Sequence, residues 1–98
     1  MALRDSIISA LRLGATSANT LSPEIDRNIT TARAELIRSG VSEVVAKSEH
    51  PLVEEAIVTY ALMKMGRESL YDRYKESWEY QVDCIRKSSL QVKASEEQ

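Results

Sequence analysis

Two side chains in this sequence carry chemistry that could work at neutral pH: the single histidine, His50, and the single cysteine, Cys84. A histidine can act as an acid–base group or a ligand, but it needs a partner at a fixed spacing. No Ser, Cys or Asp stands beside His50 in a recognisable nucleophile pattern, and the ring precedes Pro51 at a helix start. It reads as a residue near that start, facing solvent or a neighbour. A cysteine becomes a nucleophile when a helix N-terminus or a cation lowers its pKa, and the nearest predicted helix start lies about fifteen residues from Cys84. One cysteine also excludes an intramolecular disulfide framework and a multi-cysteine zinc site, and points to a reducing compartment. There is no His-x-x-x-His or Cys-x-x-Cys spacing and no glycine-rich phosphate loop. The carboxylate pairs Glu54/Glu55 and Glu96/Glu97 are adjacent in sequence, so on a helix they do not share a face and read as solvated surface. The sequence therefore offers no catalytic residues, no metal site and no cofactor site.

Residues suited to contact are easier to find. Tyr71, Tyr74 and Trp78 fall at helical spacing and read as core, whereas Tyr80 points about 160° away from Trp78 on a helical wheel. Tyrosine is enriched at protein interfaces, so Tyr80 with Cys84 one turn on, on an otherwise charged face, marks a candidate contact surface. Arg67, Arg73 and Glu76 supply mixed-sign charge on the same stretch, and Leu90, Val92 and Lys93 extend the candidate set into the tail. A helix-turn-helix reading is weaker. About ten residues separate the helix ending at Gly40 from the helix at Pro51, where that motif uses three or four. Its would-be recognition helix is apolar and opens with Glu54 and Glu55, which would face phosphates and base edges.

These residues need elements to position them. Leu3, Ile7, Ala10 and Leu11 suit one face of a short N-terminal helix, with Gly14 as its stop, and 14–20 is small and polar, a predicted loop. Ser22-Pro23-Glu24 is a helix start with a capping serine, an early proline and an acid. From there Ile25, Ile29, Ala32 and Leu36 form one apolar stripe ended by Gly40. Val41, Val44, Val45 and Ala46 fit a helical turn or an extended piece equally well. Pro51 opens the next helix, with Ser48, Glu49 or His50 near its cap. Leu52 to Met65 is apolar almost all round, relieved by Glu55 and Thr59, which predicts a buried central helix ended by Gly66. The last helix spans about Ser69 to Lys87. Its apolar face carries Tyr71, Tyr74, Trp78, Val82 and Ile85, opposite Arg73, Glu76, Tyr80 and Cys84. The fold class is all-α: a small bundle of four helices with a short N-terminal helix, a central buried helix and a mobile C-terminal tail. Residues 1–90 read as one domain and 91–98 as a polar, flexible tail.

The 98 residues fit a single domain. Their net charge of −2 excludes a generic cationic nucleic-acid binder. No apolar run approaches ~18 residues, so no membrane span is expected, and charged residues among the first thirteen do not suit a secretory signal.

Three segments together resemble a known family: Asp26-Arg27-Asn28-Ile29-Thr30-Thr31-Ala32-Arg33, the run from His50-Pro51-Leu52 to Tyr60, and Trp78-Glu79-Tyr80-Gln81. In order and spacing they are similar to the small head–tail connector proteins of tailed bacteriophages, the head-completion or adaptor family often labelled as DNA-packaging proteins. The resemblance covers roughly residues 3 to 90. It implies a structural virion protein at the head–tail junction, made in the host cytoplasm, with no catalytic residues. It further implies a ring of about a dozen copies that joins the portal protein to a tail or stopper protein, with double-stranded DNA passing through. The chain departs from longer relatives in its short connection from Val41 to Glu49. Two other readings stay open: a small helical adaptor or regulator that binds one protein partner, and a DNA-binding regulator.

Overall fold

A computed structural model describes residues 3–88. The described chain is helical without strands: α1 (Leu3–Leu11), α2 (Ala15–Thr20), α3 (Ser22–Arg38), α4 (Glu43–Ala46), α5 (Pro51–Met65), a 3-10 turn (Glu68–Leu70) and α6 (Tyr71–Arg86). The all-α class holds, while the described residues form six helices rather than four. The two additions are short, and both lie in stretches that the apolar pattern did not mark as full helices. The expected contact residues Leu90, Val92 and Lys93 and the expected tail 91–98 lie outside the described residues.

The centre of the fold is α5, packed against α1, α3 and α6. Val53, Ala56, Ile57, Tyr60, Ala61 and Met63 are buried along it, as a helix apolar on nearly all sides requires. Thr59 is also buried rather than part of a wet stripe, and its hydroxyl donates to the Glu55 carbonyl at 3.1 Å. Being satisfied within its own helix, it enters the core without an orphaned polar group. Trp78 of α6 meets Tyr60 of α5 with ring centroids 5.0 Å apart and planes at 60°, a tilted geometry that aromatic quadrupoles favour.

On α3 the buried set is Ile25, Asn28, Ala32 and Leu36, with Ile29 only half-buried. Asn28 thus lies deeper than the predicted stripe allowed, and its amide nitrogen is buried without a hydrogen-bond partner. On α1, Leu3 and Ile7 are buried but Ala10 is exposed.

Two helix ends share one solution. After α3, Gly40 takes a left-handed φ of +108°, its N–H donates to Ile37 O at 3.0 Å, and the Val41 N–H donates to Leu36 O at 2.9 Å. This pair of hydrogen bonds closes the open carbonyls, and Val41 joins Leu36 in the core. After α1 the same pair of bonds runs from Arg12 to Ser9 O and from Leu13 to Ile8 O, each 3.1 Å, with Arg12 at φ +58°. The stop is therefore Arg12, not Gly14. Gly14 instead precedes α2, its carbonyl accepting from the Ala18 N–H at 2.8 Å.

The predicted loop at 14–20 is mostly helix α2, none of whose residues is buried. It runs almost directly into α3 through Leu21, whose N–H donates to Ser17 O and whose carbonyl accepts from Ile25. Ser22 is consequently inside α3 and makes no capping bond. The ambiguous 41–46 stretch becomes α4, capped by Ser42 Oγ, which accepts from the Val45 N–H at 3.3 Å. Arg33 of α3 donates from one guanidinium nitrogen to Ala46 O (2.8 Å) and Ser48 O (3.1 Å). That bridge closes the end of α4 and sets the entry to α5.

Candidate functional site

The antiparallel pair α5 and α6 positions the site. At the start of α5, His50 is the cap: its Nδ1 accepts from the Leu52 N–H at 3.2 Å. Its ring is thereby committed to holding a helix end. That cap begins the helix with Leu52 on its outer side, where the side chain is 47% exposed. Across from it, α6 presents Glu76, Ser77, Tyr80, Gln81 and Cys84.

These residues, with Glu55 on α5, enclose an open groove of about 680 Å³ floored by the buried Ile85. Tyr80 on its rim is 72% exposed. The neighbouring Cys84 thiol holds its phenol above the usual tyrosine range. The amide oxygen of Gln81 is buried in the structure without a donor, and it belongs to a side chain that lines the groove. The two charged residues lining the groove are both acids, Glu55 and Glu76. Chemically this is a mostly apolar surface flanked by carboxylates.

The structure brings together three of the residues singled out from sequence, Glu76, Tyr80 and Cys84. Arg73 is exposed on the same helix but does not line the groove, and Arg67 lies at the other end of the α5–α6 pair. Tyr71, expected on the apolar face of α6, is 38% exposed at that helix's first residue. Leu52, Glu55 and Gln81 were not anticipated. A signal existed for Leu52: the charged Glu55 follows it at +3, so the two share a side of the helix.

Helix α5, the would-be recognition helix, is covered by α1, α3 and α6 and cannot lie in a DNA groove without unfolding them. Among the described residues no three His, Cys, Asp or Glu side chains gather as a metal cluster, and no helix is long and apolar enough to cross a membrane. Comparison with family models, with curated proteins and with solved structures finds no match for this chain.

Proposed function

We propose that this chain is a structural assembly protein: a ring-forming connector that joins a capsid portal to a tail or stopper protein, with packaged double-stranded DNA passing through the ring. The observation that carries the reading is the α5–α6 groove, where Leu52 and Tyr80 stay in water beside an unpartnered Gln81 oxygen. Exposed apolar surface of this kind, rimmed by carboxylates, favours contact with another protein. The resemblance of the 26–33, 50–60 and 78–81 segments to phage connectors supplies the kind of assembly. The charge balance agrees with a conduit. Each neutralised phosphate adds salt-dependent affinity that would hold a sliding duplex, and the net charge is −2.

A second reading has the same groove in its favour: an adaptor that accepts one helix from one unrelated partner. Native mass spectrometry over a concentration series, alone and with portal protein, separates the two. A connector gives a closed oligomer of many copies, and an adaptor stays a monomer or strict dimer.

A further inference from the structure

The α5–α6 pair carries a second cleft at its opposite end. It is about 490 Å³, between the end of α1, the end of α5 and the start of α6, and is lined in part by Leu11, Leu70 and Tyr74. The charged residues lining it are Arg12 and Arg67, with no acid among the lining side chains. The groove described above has the reverse lining, Glu55 and Glu76 with no cation.

None of these four has an ion-pair partner among the described residues, whereas Arg4, Arg27, Arg38, Lys47, Arg86 and Lys87 all do. Arg33 is spent on backbone carbonyls and Lys64 sits 5.5 Å over the Tyr60 ring. Other charged side chains, Arg73 and Lys75 on α6 among them, are also outside these ion pairs; what sets Arg12 with Arg67 and Glu55 with Glu76 apart is that each pair lines a partly apolar cleft with charge of one sign.

We propose that these two clefts are the two halves of one self-contact: the arginine cleft of each copy docks on the carboxylate groove of the next. The occupant of the groove is therefore a second copy of this chain, arranged head to tail. Groove-on-groove pairing would place four carboxylates together, and like charges across an interface are strongly disfavoured. Because the two surfaces differ and lie at opposite ends of one helix pair, the contact is heterologous. Repeated, it closes into a ring or runs on as a filament. The inference rests on the self-assembly proposed above and names the surfaces that carry it.

The test uses charge reversal on the full-length chain, with assembly read by native mass spectrometry and folding by thermal melt. R67E alone and E76R alone should each lose at least tenfold in assembled fraction, with melting unchanged, since both sites are exposed. An equimolar mixture of the two should assemble to within about twofold of the parent. In an alternating assembly every contact then pairs an acid with a base.

If the parent assembles and the single variants assemble as well as it does, the inference is overturned while the ring reading stands. Loss in the single variants without recovery in the mixture also overturns it, because the two residues then do not meet. If R67E abolishes duplex-DNA retention and leaves assembly intact, the arginine cleft belongs to a phosphate backbone and the inference fails. A parent that remains monomeric at every concentration and with portal protein removes the ring reading and this contact together.

Discussion

Arg33 shows how much can hang on one side chain. Its two bonds to Ala46 O and Ser48 O are made in a partly buried setting, and they connect α3 to the turn that launches α5. Arg33→Leu leaves two carbonyls without their charged donor and should cost about 2–3 kcal/mol in urea unfolding. A loss below about 0.5 kcal/mol would show that α4 is held without it. Tyr60 gives a pH signature. Burial, with Glu35 nearby, raises its phenol above the ordinary range. The folded chain therefore holds that proton more firmly than the unfolded one. The resulting stability is complete below the ordinary tyrosine range and is lost as the pH rises through about 10 toward the folded value. Tm measured from pH 9 upward should fall, and Tyr60→Phe should lessen that fall; an unchanged fall in the variant would contradict the assignment. Neither residue's role was legible beforehand. Arg33 stood in the motif as a letter, and its partners are carbonyls thirteen and fifteen positions on, which no local spacing reveals.

At the scale of elements, helices with a buried stripe were readable and helices without one were not. The ends of α3 and α5 followed from Gly40 and Gly66. At Gly66 an added Cβ would collide with the Leu62 carbonyl, so only glycine fits there. The six residues of α2 bury nothing and offer no apolar period, so only their junction with α3 through Leu21 gives them away. Arg12 hid the end of α1 because the left-handed position there is filled by an arginine where glycine is favoured. The phase of α6 was legible and can be tested. Trp78 is 8% exposed and packed against the tilted Tyr60 ring, while Tyr80 is 72% exposed. Trp78→Ala should cost about 3–5 kcal/mol in chemical unfolding, and Tyr80→Ala should stay within about 0.5 kcal/mol of the parent. The reverse order would mean that α6 packs through its other face. The cap of α5 is an opportunity of the same kind. His50 holds the Leu52 N–H through a ring nitrogen, a weaker choice than a carboxylate at that place. His50→Asp should raise stability by about 0.5 kcal/mol, read as a higher Tm, and a lower Tm would show that the imidazole has a further partner.

For the whole molecule, one central helix organises the rest. Its near-continuous apolar surface requires cover on most sides, which could be read from Leu52 to Met65 alone; the structure supplies that cover as α1, α3 and α6. The candidate surface was half legible. Tyr80, Cys84 and Glu76 emerged from the polar side of α6, but a groove needs a second wall, and Leu52 and Glu55 come from a helix some twenty-five residues earlier that antiparallel packing brings alongside. The proposed connector role requires this small helical unit to meet copies of itself. The most direct measurement is the mass of the full-length chain in native spectra as its concentration is raised, alone and then with portal protein. A closed species of many identical copies is the predicted result. A monomer or fixed dimer throughout, with portal protein present, would contradict it.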